Sequence, residues 1–205
     1  MNESQRSASQ ARVARQLFFA VAALFAGLAG ITGLLYAFMP ARSAISLQPL
    51  GTSYTMVASD GRILRSADLS GRPYLIFFGY TRCPDFCPAT LLDISAVFKK
   101  LGPERKIAAV FVTTDPERNT PEVLRAYLKN FDSRIIGLTG DPLKIETISK
   151  AFRVYARKVP AESGDEYSVD HTGAVYLMDK RGKFVSVFDL QRPAEQAARE
   201  LEAYF

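Results

Sequence analysis

The stretch from Leu17 to Met39 contains 23 consecutive residues without a charged side chain. As a helix rising about 1.5 Å per residue it would extend about 34 Å, which is enough to cross the roughly 30 Å hydrocarbon core of a bilayer. The sequence therefore predicts one N-terminal transmembrane helix over residues 17–39, ahead of whatever domain follows it.

A cleaved secretory signal is the alternative for this stretch, because Ala41–Ala44 (ARSA) loosely resembles a cleavage site. The apolar region of a cleaved signal is usually only about 7–15 residues long. The greater length of residues 17–39 therefore favours an anchor that stays on the protein.

Three arginines and one glutamate precede the span: Arg6, Arg12, Arg15 and Glu3. The positive-inside tendency predicts that residues 1–16 are cytoplasmic and that residues 40–205 cross the membrane. We expect a single-pass protein of the inner (cytoplasmic) membrane with its C-terminal domain in the periplasm. The short N-terminus, which lacks a long Ser/Arg-rich transit segment, disfavours the mitochondrial inner membrane facing the intermembrane space.

The charge and the metal-binding side chains outside the span exclude several classes of protein. The chain carries +5 overall, of which residues 1–16 contribute +2, so that residues 40–205 carry only +3. A charge this small over so long a segment predicts no nucleic-acid partner. The chain has two cysteines and a single histidine. These numbers exclude a disulfide-dense scaffold and structural zinc sites built from four cysteines or from two cysteines and two histidines.

Beyond a short linker over residues 40–53, apolar strands alternate with amphipathic helices in one predicted domain, residues 54–205. Strands are predicted at 54–58, 62–64, 73–79, 106–112, 134–138, 174–178 and 184–188, helices at 87–101, 121–131, 142–152 and 194–204, and a long loop or small hairpin at 160–170. This order predicts an α/β fold with a mixed central sheet flanked by helices, in a thioredoxin-like arrangement.

Both cysteines of the chain fall within five residues, as Cys83-Pro84-Asp85-Phe86-Cys87. A helix that begins between them places residues four apart on one face, so the two sulfurs can meet. The helix N-terminus and the adjacent Arg82 favour the thiolate over the thiol. We expect disulfide exchange, peroxide reduction or binding of a soft metal here. A purely structural disulfide is disfavoured, because closing so small a loop stabilises little through chain entropy.

His171 is the only histidine among 205 residues. A lone histidine is more often structural than functional, but this one lies just before the strand predicted at 174–178, and binding residues are common at such positions. Two thiolates and one imidazole form a soft donor set, which suits Cu(I), or Cu(II) with further ligands, better than Mg²⁺, Ca²⁺ or structural zinc. Cys83, Cys87 and His171 are therefore the candidate metal ligands.

Two acidic features are weaker candidates. The segment Asp115–Arg118 (DPER) follows the second buried strand, and its composition favours a plain turn leading to a helix cap at Thr120. Asp170 precedes His171 directly, and it fits equally well a carboxylate that orients the imidazole and a solvated surface acid.

Four segments, spread in order over residues 50–205, resemble the Sco/SenC family of membrane-tethered copper proteins. They are GYTRCPDFCP at 79–88, VTTDPERNTP at 112–121, GLTG at 137–140 and VDHTGAVYLMD at 169–179. The resemblance implies a thioredoxin-like fold and one copper ion per chain, as Cu(I) or Cu(II), bound by Cys83, Cys87 and His171. Arg82 stands where many members of the family have histidine, a position outside the three ligands.

The resemblance further implies a metallochaperone rather than an enzyme. Its partner would be cytochrome c oxidase subunit II, or a related copper acceptor, whose dinuclear copper site it would supply during assembly. The alternative is a thiol–disulfide oxidoreductase that reduces the cysteines of that site, with Cys83 as the attacking thiolate and Cys87 as the resolving thiol. A copper acceptor must first be reduced, so both activities are compatible with one target.

Overall fold

A computed structural model of the chain describes residues 21–34, 50–160 and 167–205. The chain divides into two compact units, residues 1–48 and 49–205. In the first unit residues 21–34 form a helix, α1, whose large apolar side chains are exposed.

Within the described ranges, no helix is both long enough and apolar enough to span a membrane. The span predicted at residues 17–39 extends beyond α1 at both ends, so the transmembrane helix stays a prediction. The predicted cytoplasmic segment 1–16 and most of the linker, residues 40–49, lie outside the described residues.

The second unit is built around one mixed sheet. Its strands and those of a separate hairpin are β1 Thr55–Ala58, β2 Ile63–Arg65, β3 Tyr74–Gly79, β4 Ala108–Thr113, β5 Ile135–Thr139, β6 Ala156–Pro160, β7 Tyr167–His171, β8 Val175–Met178 and β9 Phe184–Val187. Seven strands form the sheet in the order β2-β1-β5-β4-β3-β8-β9, and β6 and β7 form the hairpin. The neighbours β3, β4 and β5 are parallel, whereas the outer pairs are antiparallel. The predicted α/β fold with a mixed central sheet is confirmed.

Helices cover both faces of the two central strands. The helices of this unit are α2 Phe86–Leu101, α3 Pro121–Leu128, α4 Pro142–Ala151 and α5 Ala194–Glu202, with a 3-10 turn at Ser66–Leu69. Alternate residues of β3 face opposite ways, so Phe77 packs with α2, α3 and α5 while Phe78 packs with α4. All six residues of β3 and of β4 are buried, which explains their continuous apolar sequences.

The helix starts follow the predicted capping chemistry. The Thr120 hydroxyl accepts a hydrogen bond from the Val123 N–H at 3.4 Å, and the Asp141 carboxylate accepts one from the Leu143 N–H at 2.8 Å. A proline occupies the first turn of both α3, which Thr120 caps, and α4, which Asp141 caps. Helix α3 ends three residues earlier than predicted, at Leu128, and the following Asn130 side chain bonds the Tyr127 carbonyl at 3.1 Å.

The hairpin β6–β7 differs most from the expectation for residues 160–170. It is a hairpin, but β6 begins at Ala156 and β7 runs on to His171, so it is longer than predicted. Of its ten residues only Val169 is buried. Without an alternating apolar pattern, the sequence carries almost no signal for these strands.

Gly137 on β5 marks the closest approach of α3 to the sheet. A Cβ there would lie 2.8 Å from Leu128 Cδ1 and 3.1 Å from Leu124 Cβ. We expect Gly137→Ala to lower the free energy of unfolding by about 1–3 kcal/mol, because overpacking displaces the helix. Gly140→Ala is the matched control, since its nearest neighbour, Met56 Cε, lies at an ordinary 3.5 Å.

The measurement is chemical denaturation followed by circular dichroism, because the chain has no tryptophan. Equal midpoints for Gly137→Ala and Gly140→Ala would contradict the close packing of α3 on β5.

Candidate metal centre

The two cysteines lie on the turn that joins β3 to α2. The Cys83 N–H donates to the Tyr80 carbonyl at 3.3 Å, which closes the turn. The Cys83 sulfur in turn accepts the backbone N–H of Cys87 at 3.3 Å, at the first turn of the helix. Both thiols are free, and Cys83 is partly exposed whereas Cys87 is fully buried. The predicted juxtaposition of the two side chains at a helix start is confirmed.

Gly79, the last residue of β3, provides the space that the Cys87 sulfur occupies. A Cβ on Gly79 would lie 2.7 Å from Cys87 Sγ and equally close to the ring of Phe111. Any larger residue would push the sulfur or the ring aside. The backbone of the strand thus fixes how deep this sulfur lies.

Burial raises the pKa of the Cys87 thiol above its ordinary value, and interactions with Cys83 act in the same direction. A hydrogen bond with the backbone of Tyr80 opposes the shift and is outweighed. The helix N-terminus was expected to favour the thiolate over the thiol, but for Cys87 in the metal-free protein burial outweighs that effect. The free energy that a buried thiolate loses with its hydration is larger than the stabilisation that the nearby N–H groups provide.

His171 ends β7 with its imidazole directed at the cysteines. Its Nε2 lies 3.4 Å from Cys87 Sγ, and its Nδ1 lies 3.1 Å from the Thr172 carbonyl oxygen. With the Nδ1 proton donated to that carbonyl, the Nε2 lone pair faces the sulfurs. Burial lowers the pKa of His171, which favours the neutral ring that a metal requires. The imidazole is oriented by Thr172, while Asp170 is exposed beside it.

Aromatic rings surround the imidazole. The ring centroids of Tyr80, Phe77 and Phe86 lie 5.9, 6.3 and 6.3 Å from that of His171. The Phe86 ring also fills the space next to Gly173, where a Cβ would collide with it. These rings limit water around Nε2, although Phe86 itself is half exposed.

The structure brings all three predicted ligands together. One donor atom each from Cys83, Cys87 and His171 lies within 4.8 Å of the other two. Two sulfurs and one imidazole nitrogen at this spacing fit a soft transition metal, and copper above all.

The loop Thr114–Asn119, called the β4 loop below, does more than the plain turn predicted for Asp115–Arg118. Asn119 is fully buried, accepts the Thr81 N–H at 3.0 Å and donates to the Thr81 hydroxyl at 2.9 Å, two residues before Cys83. Asp115 is fully buried as well and contacts Tyr167 on the hairpin. The sequence reasoning missed Asn119, Thr81 and Tyr167. The first two had a signal only in the segments that carry the family resemblance.

Comparison with known proteins agrees with this geometry. The SCO1/SenC family model matches residues 42–205. This chain belongs to the SCO1/SenC family. Among its relatives, the SCO2-like protein RP587 of Rickettsia prowazekii is 37% identical over 149 residues, which are 72% of this chain and 73% of the relative.

Solved structures of the family share the fold. Copper-bound ScoI of Bradyrhizobium japonicum is 43% identical, with a TM-score of 0.74 over 76% of this chain and 99% of that one. BsSco, described as a member of the Sco family of cytochrome c oxidase assembly proteins, is 23% identical, with a TM-score of 0.61 over 77% of this chain and 95% of that one. At that identity the likeness shows the fold alone. Copper is thus bound in the family, and this chain has a Cys-Cys-His site that fits it.

The unequal burial of the two cysteines predicts unequal reactivity. In the reduced, metal-free chain we expect an alkylating reagent to modify Cys83 more than about tenfold faster than Cys87. The thiolate is the reacting form, and each unit of raised pKa lowers its population about tenfold. Peptide mass spectrometry over time measures both rates. In urea, where burial is lost, the two rates should converge; equal rates in the folded chain would refute the asymmetry.

Proposed function

We propose that this SCO1/SenC member binds one copper ion through Cys83, Cys87 and His171. In this proposal it delivers that ion to the dinuclear copper site of cytochrome c oxidase subunit II during assembly. The observation that carries the proposal is the convergence of the three donor atoms within 4.8 Å. The copper-bound relative supports the cargo, and membership of the SCO1/SenC family supports the acceptor.

The burial of the ligands favours a route for handover. Cys83 and His171 are partly exposed, whereas Cys87 is enclosed by Gly79 and the core. An incoming thiolate of the acceptor can therefore replace Cys83 first, while Cys87 still holds the ion. Binding requires both thiols to lose their protons, so loading releases protons and return of a proton to Cys87 assists release.

The proposed placement of the protein has three parts. Residues 17–39 anchor it in the inner membrane, residues 1–16 remain cytoplasmic, and residues 40–53 link the anchor to the domain at 54–205 in the periplasm. The absence of charge over 17–39 supports the anchor, as does the exposure of the large apolar side chains of α1. The arginines before residue 17 support the orientation.

Removal of the imidazole tests the three-ligand site. We expect the unaltered reduced chain to keep one copper ion per chain in the presence of a competing Cu(I) chelator. The His171→Ala variant should lose its copper to the same chelator. Arg157→Ala is the matched control, because Arg157 lies on the same hairpin, is exposed and is directly opposite Asp170. Copper is measured by elemental analysis after competition, and circular dichroism checks the fold. Unchanged retention in His171→Ala would remove His171 from the site.

A thiol–disulfide oxidoreductase is the second candidate function, and one observation favours it. The Cys83 sulfur is partly exposed and accepts the Cys87 N–H at the start of α2, so it is the sulfur of the pair that an acceptor disulfide can reach. In this reaction the Cys83 thiolate attacks one sulfur of the acceptor disulfide, and the other sulfur leaves as a thiolate. Cys87 then loses its proton and attacks Cys83, which releases the reduced acceptor and leaves a Cys83–Cys87 disulfide.

Single-cysteine variants test this second candidate. With an oxidised soluble fragment of subunit II, Cys87→Ser is expected to accumulate a mixed disulfide through Cys83, because the resolving thiol is missing. Cys83→Ser should trap much less, since the remaining Cys87 is buried and its pKa is raised. Non-reducing electrophoresis measures the adduct. If neither variant forms one, the reductase function fails.

A further inference from the structure

The hairpin that carries His171 stands outside the main sheet. In the described part of the chain β6 and β7 pair with each other and with no third strand. Only Val169 among the ten hairpin residues is buried. The hydrogen bonds of the central sheet therefore do not fix the distance between His171 and Cys87, and side-chain contacts must hold the hairpin in place.

Tyr167, the first residue of β7, supplies several of those contacts. Its hydroxyl donates to Asp115 Oδ1 at 2.7 Å, and its carbonyl accepts a hydrogen bond from Arg118 Nη1 at 3.0 Å. The Arg118 guanidinium carbon lies 3.6 Å from the centroid of the Tyr167 ring, and Arg118 Nε bonds Asp115. Tyr167 is thus held at its ring, its hydroxyl and its backbone by two residues of the β4 loop.

Asp115 and Arg118 are an enclosed ion pair. The Asp115 side chain is fully buried and that of Arg118 is 17% exposed. Removing one partner of such a pair leaves an uncompensated buried charge, so a change at either residue disturbs the β4 loop. Lys158 adds a second cation over the Tyr167 ring, at 4.6 Å, and pairs with Glu117 at 2.5 Å.

The same loop also holds the cysteine turn. Asn119 bonds both the N–H and the hydroxyl of Thr81, and the Thr114 N–H donates to the Gly79 carbonyl at 2.7 Å. At the end of β4, directly before the loop, the Thr113 hydroxyl accepts the Asp115 N–H and donates to Asn119. The β4 loop therefore contacts both the turn that carries the two cysteines and the hairpin that carries His171.

We propose that Asp115, Arg118 and Tyr167 are positioning residues that hold the His171 imidazole beside the two sulfurs and thereby set the preference of the site for Cu(II) relative to Cu(I). This inference rests on the proposed copper-binding function. Two soft thiolates satisfy Cu(I), whereas Cu(II) depends more on the additional nitrogen ligand. Tyr167 and His171 lie four residues apart on one face of β7, so a change at one end of the strand moves the other.

The test is Tyr167→Phe, which removes one hydroxyl and keeps the ring under Arg118. Tyr155→Phe is the matched control, because Tyr155 is exposed and precedes the same hairpin, bonded through its backbone to Thr172. In the full chain we expect Tyr167→Phe to weaken Cu(II) binding about tenfold, the lower end of the effect of losing a direct partner of a metal ligand, because Tyr167 acts on His171 through the strand. Cu(I) affinity should fall by a much smaller factor, because the two thiolates still hold that ion.

The proposal has three further readouts. The midpoint potential of the bound copper should rise by about 59 mV for each tenfold loss of Cu(II) affinity relative to Cu(I). In the metal-free chain, amide hydrogen exchange over residues 167–171 should be faster in Tyr167→Phe than in Tyr155→Phe, because the hairpin opens more often. Electron paramagnetic resonance of the Cu(II) form should show a weaker nitrogen coupling.

An equal loss of affinity for both oxidation states, or no loss for either, overturns the proposal. Unchanged exchange over residues 167–171 overturns it as well, because the hydroxyl would then not hold the hairpin. A different result, no copper bound by the unaltered chain, would instead refute the proposed function. The exchange comparison in the metal-free chain would still decide whether Tyr167 positions the hairpin.

Discussion

The buried contact between Asp115 and Arg118 is the interaction on which the candidate copper site depends. A buried ion pair gives little net stability, because desolvation of the two charges offsets their attraction. What it gives here is a connection to the hairpin, since Asp115 accepts from the Tyr167 hydroxyl and Arg118 donates to the Tyr167 carbonyl. Through Tyr167 the pair reaches the strand that ends at His171, and through the neighbouring Asn119 the loop reaches the turn that carries the cysteines.

The sheet provides the complementary constraint on the sulfurs. Gly79 ends a fully buried strand and admits the Cys87 sulfur against the backbone, so this candidate ligand belongs to the core. Cys83, four residues earlier, remains at the surface of the turn. The fold therefore divides the candidate ligand set into an enclosed sulfur, a sulfur that meets solvent and an imidazole supplied by a docked hairpin.

Local chemistry explains which parts of this structure the sequence could predict. The apolar segments at 73–79 and 106–112 and the caps at Thr120 and Asp141 carry their own signals, and the structure has the corresponding elements. The cysteine spacing and the single histidine pointed to the three donor atoms, and the family resemblance supplied copper. The contacts of the β4 loop could not be predicted because its partners are distant in sequence. Thr81 lies 38 residues from Asn119, and Tyr167 lies 52 residues from Asp115. No periodicity encodes such contacts.

The near absence of buried side chains in the hairpin affects which substitutions a protein of this kind can accumulate during evolution. Because only Val169 of its ten residues enters the interior, most substitutions there cost little folding free energy. Substitutions around Cys87, by contrast, disturb the core directly. Substitutions in the hairpin that carries His171 can therefore change the affinity of the site without unfolding the protein. Substitutions near Cys87 that change the affinity also lower the stability of the fold.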